Sequence, residues 1–311
     1  AVSKGRIRKG TVLTPDHLDR LKDAGIAEVM AARLDASDVP EDIAARRIGE
    51  RLAAPGLSLT KAFTGRANLV AGQAGVVSVG ADVIVGVNAI HESITLATLP
   101  DMMRVDEGQL VATIKIIPYG VDGACLKAVL DLLDESPIRL HPFKTMRVQL
   151  VLTHTPGFKD SLLTKGSDVV STRIEALGAS LQTTTTLPHN KDDISAALDP
   201  AMDLILILGA SATSDRSDVI PAAIVEAGGR VDRFGMPVDP GNLLVLGDLG
   251  GTPVVGLPGC ARSPAMNGVD WVLERIAAGL PIDGNAIAQM GVGGLLKEMP
   301  GRPQPREPGT H

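Results

Sequence analysis

The chain has 311 residues, a formal net charge of −6, 44% apolar residues and 21% charged residues. That is the composition of a globular protein long enough for two domains; it excludes disorder as the main state and argues against a basic, general nucleic-acid binder. Aromatic residues make up 2%, too few for a base-stacking platform.

Two cysteines, Cys125 and Cys260, cannot build a disulfide framework, so a reducing, cytoplasmic setting is expected. No apolar run is long enough to span a membrane. The basic start, residues 1–9, lacks the apolar centre of a signal peptide, and a first residue other than Met reads as trimming. The Pro-rich, charged end, residues 302–311, reads as a tail or linker.

Thr14-Pro15-Asp16 predicts a helix start, with a capping residue followed by Pro, and Gly25 predicts its stop. Residues 26–34 read as a short strand or extended segment. A second helix runs from Pro40-Glu41-Asp42 to about Leu52, with Ile43, Ala44, Ile48 and Leu52 on one face. Ile90, Ile94 and Ala97 give residues 88–98 helix-like spacing, whereas 109–118 are Val/Ile-rich and strand-like. Residues 124–133 read as a helix, and Pro137 and Pro142 mark a boundary.

Beyond that boundary, strands and helices alternate. Strands are predicted at 147–153, 180–187, 204–208, 231–236, 243–246 and 254–257, and helices at 167–177, 191–198, 217–227 and 263–280. This pattern predicts an α/β fold: a three-layer domain with a mainly parallel sheet over residues 146–282. A smaller mixed α+β region, 1–145, precedes it, and 283–311 follow as a tail or linker. Ligands of such sheets bind beyond the carboxyl ends of the strands.

Two strand-to-helix loops suit that place. The first runs Gly209-Ala210-Ser211-Ala212-Thr213-Ser214-Asp215-Arg216-Ser217-Asp218. Small residues let a ligand approach the backbone, and a helix N-terminus favours an anion. Asp218, in the first helical turn, could hold a metal ion or orient water; equally, Ser217 or Asp218 could simply cap the helix. The second runs Gly256-Leu257-Pro258-Gly259-Cys260-Ala261-Arg262-Ser263-Pro264. Ser263-Pro264 reads as an N-cap with Pro at the first helical position, and Arg262 could pair with a phosphate or be a solvated loop arginine. Cys260 near a helix N-terminus is expected to have a lowered thiol pKa or to be a small packed residue. The six His show no metal-ligand spacing, although His154 follows a strand end. No Walker A, full dinucleotide fingerprint or Gly-x-Ser-x-Gly elbow occurs.

Gly209-Ala210-Ser211 with Asp218, then Pro240-Gly241, then Leu257-Pro258-Gly259 resemble the three signature segments of the molybdopterin-binding domain, shared by molybdopterin molybdenumtransferases and adenylyltransferases. A bacterial subgroup fused to a molybdenum cofactor cytidylyltransferase is the closer resemblance. It is carried by Thr64-Gly65-Arg66-Ala67-Asn68-Leu69, Gly235-Met236-Pro237-Val238-Asp239-Pro240-Gly241-Asn242 and Gly259-Cys260-Ala261-Arg262-Ser263-Pro264. It covers nearly the whole chain and does not include the nucleotidyltransferase half. Where the molybdenumtransferases have lysines, this chain has Asp239 and Asn242.

The resemblance implies a role in molybdenum cofactor biosynthesis, with molybdopterin, or its nucleotide or molybdenum-loaded form, as ligand or substrate. Gly209, Ala210, Ser211, Thr213, Ser214, Asp215, Arg216, Pro240, Gly241, Asn242, Pro258, Gly259, Cys260, Arg262 and Ser263 would form its site. Asp218 would be the catalytic group and the ligand of a Mg²⁺ ion, in a phosphoryl, nucleotidyl or metal-insertion step. Two alternatives are a non-catalytic module serving a cytidylyltransferase domain and a competence-damage-type nucleotide-processing relative. A cytidylyltransferase partner and self-association follow from the resemblance; nucleic acid and membrane are not expected as partners.

Overall fold

The structure is a computed structural model that describes residue 7 and residues 10–296. The basic start and the Pro-rich end therefore lie almost wholly outside the described residues. The chain divides into two compact units, Ala1–Leu140 and His141–His311.

In the first unit, α1 (Pro15–Asp23) starts where Pro15 fixes φ, and His17 Nδ1 accepts the Thr14 N–H at 3.2 Å. Residues 26–34 form no strand and are exposed throughout. β1 (Asp38–Pro40) leads into α2 (Glu41–Leu52). The buried stripe of α2 is Ala44, Ala45, Ile48, Gly49 and Leu52; Ile43, expected on that stripe, is exposed. β2 (Leu57–Leu59), β3 (Arg66–Ala71) and β4 (Gly75–Val79) follow, then α3 (Ala81–Ile90), β5 (Ile94–Thr98), β6 (Met103–Val105), β7 (Leu110–Ile116), β8 (Gly120–Asp122), α4 (Gly123–Leu132) and β9 (Ile138–Pro142). β2, β3, β7 and β5 make an antiparallel sheet whose inner face packs on α2.

Residues 88–98, expected as one helix, change from α3 to β5. The cause is Asn88: its side-chain amide donates to Leu96 O at 2.8 Å and accepts Leu96 N–H at 2.8 Å, tying the strand back against the helix end. Ile94 and Leu96 then share the buried face of a strand at a spacing of two.

The second unit opens with β10 (Arg147–His154), α5 (Asp160–Glu175), β11 (Ser180–Pro188), α6 (Lys191–Ala197), β12 (Leu204–Leu208) and α7 (Val219–Glu226). β13 (Arg230–Phe234), β14 (Val245–Leu249) and β15 (Thr252–Leu257) precede a 3₁₀ turn at Gly259–Arg262, α8 (Gly268–Ala277) and α9 (Gly284–Gln289). The sheet order is β11-β10-β12-β15-β14-β13. The first four strands are parallel; β14 is antiparallel to both β15 and β13.

Alternation along β12 explains the three layers. Leu204, Leu206 and Leu208 face a core shared with α5, α8 and α9, while Ile205 and Ile207 face one shared with α6 and α7. Both faces of this central strand are therefore covered, which is why it reads as an unbroken apolar run.

Three boundaries differ most from the sequence pattern. α5 starts at Asp160, not near Ser167, and passes through Gly166 without a break. A Cβ there would stand 2.8 Å from Leu208 Cδ2 and 3.7 Å from Arg262 Cγ, so this glycine serves close packing. The helix expected from Ser263 starts only at Gly268, with Asn267 as N-cap: its Oδ1 accepts Val269 N–H at 2.9 Å, and Asp270 Oδ2 accepts Asn267 N–H at 2.8 Å. Residues 283–296, expected within a tail, form α9, bury Ile287 and Met290, and bond to Asp239 through Gly294 O and Leu296 N.

Candidate functional site

Sheet register brings the connecting loops to one end. Leu208 pairs with Leu257, Gly256 with Val245, and Val245 with Phe234. The segments 209–218, 235–244 and 258–267 therefore leave the sheet at the carboxyl end of its parallel strands. The ends of β10 and β11 stand at the same edge, where His154 pairs with Pro188.

The 209–218 loop is tied down at both ends. Ala210 N–H donates to Thr153 Oγ1 at 2.8 Å, and that oxygen lies 2.8 Å from His189 Nδ1. Ser211 Oγ lies 2.9 Å from His189 Nε2. Thr213 is buried, whereas Ser211, Ser214, Asp215 and Arg216 are exposed. Asp218 holds the N-cap position of α7, yet its carboxylate makes no capping bond to the helix. Its Oδ2 instead accepts the backbone N–H groups of Ser214 and Asp215 and the Ser214 hydroxyl. These bonds, the Ser214 N–H first, hold the Asp218 carboxyl below the usual carboxylate range. Asp215 is lowered in the same way, chiefly by the Ser217 hydroxyl. Arg216 donates to Val231 O at 3.2 Å, which draws it toward β13.

Arg262 spans two loops. Its Nη2 donates to Gly209 O at 2.7 Å, and its guanidinium carbon lies 5.8 Å from the centre of the Phe158 ring. Burial lowers its pKa, and its Nε is buried with no hydrogen-bond partner. The loop that carries it is clamped from beneath by Arg173. That guanidinium donates to Asp270 Oδ1 at 2.7 Å, Ala261 O at 2.8 Å, Ser263 O at 2.7 Å and Ala265 O at 2.8 Å. Carbonyls turned toward Arg173 cannot accept along a helix axis, so residues 263–266 stay non-helical and Ser263 is not the N-cap of α8. Of the two expectations for Cys260 the packed residue fits and the lowered thiol does not: burial pushes its thiol up, with Asp239 and Asp270 adding to the rise against the pull of Arg173.

The third segment makes a tight reversal. The Asp239–Pro240 peptide is cis and Gly241 has φ +138°. Gly268 N–H donates to Pro240 O at 2.8 Å, so this segment rests on the start of α8. A Cβ on Gly241 would meet Gly268 N at 2.8 Å, which restricts the position to glycine. Asn242 Oδ1, like Arg262 Nε, is buried without a hydrogen-bond partner.

The predicted site residues of all three segments thus share one end of the sheet. His189, Thr153, Arg173 and Phe158 join them without having been singled out by sequence. Only His189 had a local signal, since it directly follows a strand and precedes a helix. Among the described residues no group of three or more His, Cys, Asp or Glu could hold a metal ion, and Asp218 Oδ2 is already engaged. Nor is any helix there long and apolar enough to cross a membrane.

No protein-family model and no curated protein matches the sequence. The structure is similar to that of the molybdopterin biosynthesis MoeA protein of Pyrococcus horikoshii, with 15% identity over 77% of this chain and 80% of that one, at a TM-score of 0.30. It is also similar to the molybdopterin biosynthesis enzyme MoaB of Thermus thermophilus, with 19% identity over 47% of this chain and 97% of that one, at a TM-score of 0.27.

Proposed function

We propose that the second unit binds molybdopterin, or a nucleotide or molybdenum-loaded form of it, in molybdenum cofactor biosynthesis. The observation that carries this reading is the convergence of the three loops that resemble the molybdopterin-binding signatures. A terminal phosphate would sit on the backbone of the Gly209–Ser214 loop at the head of α7. The Asp218 side chain makes no capping bond to that helix, so it leaves the N–H groups of Val219 and Ile220 without a side-chain partner; Pro221 has none to offer. Arg262 supplies the local cation, and its unpartnered Nε and the unpartnered Asn242 Oδ1 offer one donor and one acceptor to a polar ligand.

Binding without turnover is the form of this proposal that the Asp218 geometry favours. A carboxylate that already accepts two backbone N–H groups acts first as a loop tie, and the lysines of the molybdenumtransferases are absent at Asp239 and Asn242. The donor set does not fit a resident Mg²⁺. In this form the unit would present its ligand to a cytidylyltransferase domain.

Calorimetric titration with molybdopterin and with its dephospho form tests the proposal, with pyrophosphate release measured separately. Arg262→Ala is expected to weaken the phosphorylated ligand by roughly ten- to a hundredfold and the dephospho form much less. Absence of saturable binding by the wild type refutes the reading. Equal weakening of both ligands assigns Arg262 to loop support through Gly209 O.

A further inference from the structure

Thr153, His189 and Ser211 form a line of hydrogen bonds that the ligand-binding reading does not use. Thr153 is fully buried at the end of β10. Its oxygen accepts Ala210 N–H, and among the described residues the only acceptor within reach of its own proton is His189 Nδ1, at 2.8 Å. A buried hydroxyl proton left unmatched is costly, so Thr153 donates and Nδ1 accepts. The neutral ring then carries its proton on Nε2. Burial, which lowers the His189 pKa against the opposing field of Asp218, keeps the ring neutral.

Direction is thereby set for the next bond. Nε2–H points at Ser211 Oγ, 2.9 Å away, and donates to it. The Ser211 proton must turn away from the ring, toward the exposed side of the loop. The backbone of His189 is anchored by its N–H bond to His154 O at 2.8 Å, and the ring packs beside Gly209, where a Cβ would stand 3.4 Å from Cε1.

We propose that His189 is a positioning residue that, oriented by Thr153, presents the Ser211 hydroxyl as an obligate donor to an oxyanion of the bound ligand. The ligand class this selects is one that offers an unprotonated acceptor oxygen at Ser211, such as a phosphate ester, and not one that offers a donor. The ligand half of the proposal rests on the function proposed above; the orientation half does not.

Nitrogen-15 NMR of the histidine side chains in the ligand-free protein tests the orientation directly. His189 is expected to be neutral with its proton on Nε2, and Thr153→Val, but not Thr153→Ser, is expected to shift the proton toward Nδ1. Titration with inorganic phosphate tests the ligand half. Ser211→Ala and His189→Ala are each expected to lower phosphate affinity about tenfold, whereas His189→Gln, whose amide keeps a donor near the Nε2 position, stays within about threefold. A proton on Nδ1 in the wild type overturns the proposal. So does phosphate affinity that is unchanged in Ser211→Ala. A wild-type protein with Nε2–H that binds no phosphate supports the oriented relay and overturns the oxyanion at Ser211; the function proposed above stands or falls separately, on the molybdopterin titration.

Discussion

Replacing Arg173 tests whether one largely buried side chain builds the loop that carries Arg262. The guanidinium is 10% exposed and its partner Asp270 17%. It makes four bonds, one to the carboxylate and three to carbonyls of the 258–267 segment. Arg173→Met keeps most of the apolar stem but leaves Asp270 Oδ1 and the Ala261 and Ser263 carbonyls without this donor, while Asp270 Oδ2 keeps the Asn267 N–H and Ala265 O a 3.4 Å bond from Asn267 Nδ2. Removing one member of a buried, hydrogen-bonded ion pair costs about 3–5 kcal/mol. For a unit of this size that lowers Tm by roughly 6–20 °C. Thermal unfolding of the whole chain, followed at Trp271 in α8, reads the effect. Arg173→Lys restores the charge without the planar fork, so it should recover only part of the loss. In the double variant with Asp270→Asn the two costs should add to less than their sum, because the same pair is removed twice. A drop below about 1 kcal/mol in Arg173→Met would refute the clamp, since that is the range of an exposed ion pair.

Gly241→Ala is expected to destabilise the second unit by about 1–3 kcal/mol, because φ +138° and the contact with the Gly268 backbone leave no room for a Cβ; an unchanged urea midpoint would count against the close approach. The lowered His189 pKa gives a signed pH effect. Below an unfolded value of about 6.5 the unfolded chain takes up the proton first, so stability from this group is complete above that pH and is lost as pH falls toward the lower folded value. His189→Gln should flatten the stability profile in that window, and a profile identical to wild type would remove the argument. Asp218→Asn is expected to keep the fold and ligand affinity within a few-fold while loosening the 214–218 turn, seen as faster amide exchange at Ser214 and Asp215. If the wild type does release pyrophosphate and this variant does not, Asp218 is catalytic and the binding-only form falls.

In the second unit, where burial repeats along the strands, the sequence alone was enough to place the central strand. Residues 204–208 match β12 end for end, because a strand covered on both faces must be apolar at every position. The alternation of elements foretold three layers and a mainly parallel sheet, and Gly209 and Pro258 fall where the strand pattern stops. Which loops meet also followed, since neighbouring parallel strands present their carboxyl ends together. Tertiary structure decided what depends on a single side chain reaching a distant backbone. Arg173 takes the carbonyls of Ser263 and Ala265, 90 and 92 positions away, and so delays a helix that the Ser263-Pro264 cap signal starts at Ser263. Asn88 turns a helical spacing into a helix and a strand in the same manner. The role of His189 is of this kind as well: its partners come from β10 and from the loop after β12, 36 and 22 positions from it in sequence. Hydrophobic period reports which face of an element is buried; it carries no record of a polar bond between elements, because such a bond needs only one residue at each end and leaves no repeat.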